Sequence, residues 1–232
     1  MQDESTFRWI AAITAVVSAP LALGASLVLA QALQFNAEVM SNPASLVALG
    51  AQVAATFRWV EFIGMFGYYL LLLPATLYLW YWLKPRNPRL VGLFTILGLG
   101  YIFVGAIGSA VLVSLAPPLM LVYAQALDSQ RNVVQAVFQV VTDLGILAMF
   151  SLSYILGGLW WLGIGWVLRA ERRILGSLTV LQGLVTLVYG VGVMLHIEAL
   201  TNLEAMTFLA PIWALWLGVV IWRNDRQGDI IQ

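Results

Sequence analysis

Five residues of this chain carry side chains able to bind or react and fall at one depth: Arg58, Glu61, Asp143, His196 and Glu198. Together they offer a cation, three carboxylates and an imidazole. An arginine can hold an anion, and carboxylates can orient a ligand. With the imidazole they can also act as acid, base or metal ligand. Their surroundings are apolar. In FRWVEFIGMFGYYLLLLPATLYLWYWLKPR, residues 57–86, Arg58 and Glu61 are the charges that precede Lys84.

The common depth follows from spacing. Lys84 stands 26 residues after Arg58, about 39 Å along a helix. Glu61 is one turn deeper. Asp143 stands 26 residues before Arg169, and His196 and Glu198 lie 23 and 25 residues after Arg173. All five therefore sit near the end of their helices remote from these basic residues.

The elements that must hold them are membrane spans. The chain has 232 residues, 62% hydrophobic and 9% charged, against about 25% charged in soluble domains. A spanning helix needs about 20 mostly apolar residues. Segments 8–33, 58–83, 90–115, 133–168, 174–196 and 206–222 qualify. The expected fold is an all-α polytopic membrane protein, one domain of six transmembrane helices over 1–232. The first segment could be a signal peptide cleaved near Ala30-Gln31-Ala32, but its acidic leader and length favour a retained span.

Nine basic residues (Arg8, Lys84, Arg86, Arg89, Arg169, Arg172, Arg173, Arg223, Arg226) fall on one side and two, Arg58 and Arg131, on the other. The excess predicts cytoplasmic N- and C-termini. Trp9, Trp80, Trp82, Trp166 and Trp222 mark the same side as an interfacial belt. On the other side the pattern predicts helical caps. Asn42 precedes Pro43 as a helix start. Asn132 to Arg169 reads as one helix too long for a bilayer, with Gln135, Gln139 and Thr142 on one face and valines on another. Pro117 and Pro118 are expected to end the third span. Pro20, Pro74 and Pro211 lie inside spans, where neighbouring helices tolerate kinks.

Residues 89–108 and 173–192 match at an offset of 84: Arg89/Arg173, Gly92/Gly176, Thr95/Thr179, Leu97/Leu181, Val104/Val188 and Gly108/Gly192. Spans two–three and four–five are thus expected to be a parallel repeat of one hairpin. Glycines seven apart (Gly176, Gly183, Gly190; Gly98, Gly105; Gly158, Gly165) predict close helix packing.

FRWVEFIG…LLLPATLYLWYWLKP and LGGLWWLGIGWVLRAERRILGSLTVLQGLVTLVYGVG resemble a bacterial six-helix integral membrane family catalogued as a domain of unknown function. The resemblance spans most of the chain. It implies six helices in a bacterial inner membrane and supplies no activity, cofactor or catalytic residue. The family's fifth span opens on PRILG, and here Arg172 stands where proline is expected.

Several functions are excluded. Without cysteine there are no disulfides, thiolate metal sites or cysteine nucleophiles. One histidine rules out His-rich metal centres. There is no HExxH, nucleotide-binding loop or calcium loop, and no net charge pointing to nucleic acid. No cofactor and no metal are expected. Three readings of the polar cluster remain. In the first it is structural, with Arg58 pairing to Glu61 or bridging to Asp143, in a non-enzymatic scaffold or accessory protein. In the second it binds or carries a lipid or small amphiphile at the outer leaflet. In the third Glu61, Asp143 and His196 form an enzyme site. The first ranks ahead of the second and the third last. The partners expected are membrane lipids, with a small amphiphilic ligand or a partner membrane protein.

Overall fold

In lipid a backbone must satisfy its own N–H and C=O groups, so long apolar runs become helices. The computed structural model describes residues 2–36, 39, 42–201 and 209–223; the side chains of Gln2, Asp3, Glu198 and Thr201 fall outside this set. There is no strand among the described residues. Helix α1 is Gln2–Ala32, α2 is Pro43–Ala48 and α3 is Ala51–Gly64. A π-helical turn, Met65–Tyr69, and a 3-10 turn, Leu70–Leu72, join α3 to α4, Leu73–Leu83. Then come α5, Pro88–Gln125, and α6, Asp128–Thr142. A π-helical stretch, Asp143–Phe150, leads into α7, Ser151–Leu168. The chain continues with α8, Arg173–Met194, α9, Glu198–Thr201, and α10, Leu209–Arg223.

Five stretches are long and apolar enough to cross a membrane: Glu4–Ala32, Ala51–Leu83, Pro88–Gln125, Asp128–Leu168 and Arg173–Met194. Helix α10 is apolar but shorter, and residues 206–208 of the expected sixth span lie outside the described residues, as does Arg226. The architecture is compatible with a multi-pass membrane protein. Large apolar side chains cover its outside, among them Ile96, Trp166 and Ile174.

One end of the bundle is basic. The Arg86 Nε atom is 2.6 Å from Glu171 Oε1, clamping the α4–α5 loop to the α7–α8 loop. The Trp9 and Trp222 rings meet at 4.7 Å, so α1 begins where α10 ends. Tyr81 donates to Glu4 at the same end. Lys84 lies over Trp80 and Arg169 over Trp166. Since the loops are level there, unequal helix lengths appear at the other, distal end. Helix α8 has 22 residues, about 33 Å, while the helix through α6 and α7 has 41, about 61 Å.

The bundle therefore has two storeys. Toward the basic end, Tyr69, Leu79, Tyr101, Ile102, Trp160, Trp161 and Leu217 belong to one buried core. Toward the distal end, Leu33, Val47, Phe57, Leu112, Met120 and Phe138 belong to a second. The distal caps form as the sequence indicates. Asn42 accepts from the backbone N–H of Ala44 and Ser45 at 3.0 and 3.4 Å. Gly50, at φ +53°, turns the chain into α3.

Two boundaries differ from expectation. The helix carrying Arg58 starts at Ala51, two turns earlier, because Phe57, Val53 and Ala54 pack into the distal core. Helix α5 runs through Pro117 and Pro118 to Gln125 instead of ending there. Ala116, Pro117 and Met120 are buried against α2 and α6, and this packing outweighs the hydrogen bonds the two prolines remove.

Candidate functional site

The polar side chains gather where the two storeys join. Glu61, on the last turn of α3, is half-buried and set against the buried Ser109 hydroxyl of α5. Directly below it the helix departs from α geometry. Pro74 has no N–H for the Leu70 carbonyl, and a 3-10 bond from Leu73 N–H takes that carbonyl instead. The π turn above it hands the Tyr68 carbonyl to a side chain, and the Tyr101 hydroxyl donates to it at 2.9 Å. The Tyr101 carbonyl in turn accepts from Ser153 Oγ at 2.9 Å. The Tyr68 and Ser26 hydroxyls are 2.8 Å apart.

This network ties α1, the π turn, α5 and α7 through hydroxyls and backbone carbonyls. Aromatic rings enclose it: Tyr69 meets Tyr101 at 5.2 Å and Phe150 at 6.2 Å. The second π-helical stretch starts at Asp143, so both irregular segments open at this level. Such segments are frequent at functional sites.

Among the described side chains, no hydrogen bond or ion pair joins Arg58, Glu61, Asp143 or His196 to one another. Arg58 is exposed and pairs with neither Glu61 nor Asp143; the ion pairs between described residues are Arg86–Glu171 and Arg131–Asp128. The expected Arg58 bridge does not form: Glu61 faces Ser109 of α5, and Asp143 pairs within its own helix. Asp143 accepts from Gln139 Nε2, one turn before it, at 2.7 Å. His196 is exposed at φ +55° just past α8. Its N–H bonds the Val193 carbonyl, and the Ile197 N–H bonds that of Gly192, which together form a Schellman cap. Histidine thus takes the place glycine usually fills. Glu198 opens α9, and its side chain is outside the described residues.

Ser26, Ser109 and Ser153 carry the site's polar contacts, and sequence reasoning passed over them. A serine in an apolar helix gives no pattern of its own. Depth is the signal that could have found Ser109: it is 20 residues from Arg89, and Glu61 is 23 from Lys84.

Chemically, the site provides hydroxyls, one carboxylate and closed aromatic walls. Tyr68, Tyr69 and Tyr101 pack on one another and on the core. Among the described residues no three Asp, Glu or His side chains are grouped to hold a metal. Comparison with known proteins finds no matching family model, no matching curated protein and no matching solved structure.

Proposed function

We propose that this chain is a non-catalytic accessory protein of a bacterial inner membrane that docks a partner membrane protein along its distal storey. One observation carries the reading. Val133, Val137, Val140 and Leu144 follow a 4-3-4 spacing along one face of the α6 helix and its continuation, the period of a helix-pairing seam. All four are exposed, Val133 and Val140 at 66% and 67%. Val137 and Val133 lie 32 and 36 residues from Arg169, about 48 and 54 Å along the helix, beyond the about 40–45 Å of a whole bilayer. Lipid tails do not reach them and this chain does not cover them.

The finer architecture belongs to the same proposal. α10 completes six spans, with the basic end and both termini in the cytoplasm. The hairpins α4–α5 and α7–α8 are a parallel repeat. Both start from the clamped basic end. Thr95 and Thr179, at matching positions, each donate to the carbonyl four residues back at 2.8 Å. A reporter fused after Gln232 is expected to be active only in the cytoplasm, and activity outside would overturn the orientation.

Docking is tested with a photo-crosslinking residue at Val137 in intact cells and a control at the lipid-facing Ile96. A discrete polypeptide adduct at Val137, absent at Ile96 and lost when Val140→Asp is added, is expected. Lipid adducts alone at Val137 would overturn it.

A second reading rests on a separate observation. Arg58 and its neighbour Trp59 are both exposed at the distal junction, the cation and ring that a lipid headgroup engages. A bound lipid seen by native mass spectrometry and lost in Arg58→Ala would favour an outer-leaflet lipid or amphiphile binder.

A further inference from the structure

Charge is compensated differently at the two ends of the bundle. At the distal end Arg131 pairs with Asp128 at 3.1 Å. At the basic end two turns, 84–89 and 169–173, carry Lys84, Arg86, Arg89, Arg169, Arg172 and Arg173, with Glu171 as their one carboxylate. The Arg86–Glu171 pair, at 2.6 Å, engages that carboxylate and clasps the two turns together. The other described carboxylate at this end, Glu4, accepts from the Tyr81 hydroxyl. Neither Arg89 nor Arg173 has a carboxylate partner among the described residues. The clasp therefore crowds like charges together, and their repulsion calls for counter-charge from outside the chain.

The neighbours of these cations say what brings it. Lys84 Nζ lies 4.9 Å from the centre of the Trp80 ring, and the Arg169 guanidinium lies 6.0 Å from that of Trp166, within cation–π reach. Trp166 is 72% exposed, and indoles on the outside of a span settle at the headgroup level. Arg89 and Arg173 are exposed, and each is followed by an exposed aliphatic side chain, Leu90 and Ile174. A soluble anion or an acidic protein loop would meet the charges and leave Trp166, Leu90 and Ile174 in water. A lipid leaflet with anionic headgroups meets both.

We propose that the clasped turns 84–89 and 169–173 form a docking surface for anionic phospholipid headgroups. Phosphates lie against the arginines while acyl chains cover Leu90, Ile174 and the outer face of Trp166. The inference rests on the membrane-spanning reading of the helices and is independent of partner docking at the distal storey.

The test titrates the full chain, in neutral detergent, with phosphatidylglycerol or with phosphatidylcholine of the same acyl chains, and reads binding by native mass spectrometry. Phosphatidylglycerol is expected to bind more tightly. Arg89→Gln/Arg173→Gln is expected to weaken its binding by about fivefold for each arginine and to leave phosphatidylcholine binding unchanged. Arg89→Lys/Arg173→Lys keeps the charge and should keep the preference. Without lipid both variants should unfold at the parent's Tm, since neither arginine has a carboxylate partner to lose. Equal binding of the two lipids by the parent chain would overturn the surface. So would a preference that survives the glutamine variant, is lost equally in the lysine variant, or is lost in Arg58→Gln at the distal end instead.

Discussion

Two helix hairpins rise from the basic end of this molecule, and glycines at the same seven-residue spacing do different work in each. Between α7 and α8 they bring backbone against backbone. Gly183 faces the Leu162 N–H and the Gly158 carbonyl, Gly165 faces Val180 N, and Gly176 faces the Arg169 backbone. In α5 they seat aromatic rings: Gly98 lies under Trp160 and Gly105 under Tyr69. In the second hairpin both helices carry glycines on the shared face, so the backbones close up. In the first, α5 presents its glycines to large side chains on π-helical and α-helical neighbours, which makes room for the hydroxyl network. Close packing brings backbones together in one hairpin and leaves a place for polar groups beside the other.

Four experiments probe this contrast, in order of expected effect. Gly183→Ala drives a methyl into backbone that cannot move away, and it is expected to cost about 3 kcal/mol, the top of the range for overpacking. It should appear as a sharp loss of monodisperse protein in detergent. Gly105→Ala has the Tyr69 ring as its nearest obstacle and should cost about 1–2 kcal/mol. Adding Tyr69→Leu should then make the pair less than additive in thermal unfolding. Equal losses at 183 and 105, or additivity at 105 and 69, would break the distinction between backbone contact and ring seating.

Ser153→Ala removes the hydrogen bond to the Tyr101 carbonyl and should cost about 1 kcal/mol, read as a drop in Tm. No change would take the network out of the account of the first hairpin. Smallest of all is the coupling between Arg58 and Asp143. Since the two side chains do not pair, Arg58→Ala and Asp143→Ala should add within about 0.5 kcal/mol in a double-mutant cycle. A larger coupling would restore a bridge between the hairpins.

Expected depth could be counted along the sequence, and lateral position could not. Counting residues from Lys84 or Arg169 gives an expected height for Glu61 and Asp143 from the α-helical rise, which the π-helical segments Met65–Tyr69 and Asp143–Phe150 then alter. It could not say that Glu61 faces Ser109 while Asp143 turns to Gln139. His196 shows the same limit: its chemistry suggested a ligand, and its backbone conformation makes it a helix cap. The prolines erred in the other direction. Pro117 and Pro118 looked like a stop, yet burial of Ala116 and Met120 carries α5 past them.

By itself, then, the sequence determined what depends on one helix at a time: the apolar runs, their approximate lengths, the basic end, the Asn42 cap and the glycine spacing. These follow from hydrophobicity and from backbone bonds within four residues. Tertiary structure alone decided which faces meet. The two-storey core, the serine and tyrosine network and the uncovered valine seam all depend on how each helix is rotated toward its neighbours. In a chain where nearly every face is apolar, amphipathic pattern sets that rotation weakly, and close packing around glycines and rings sets it instead.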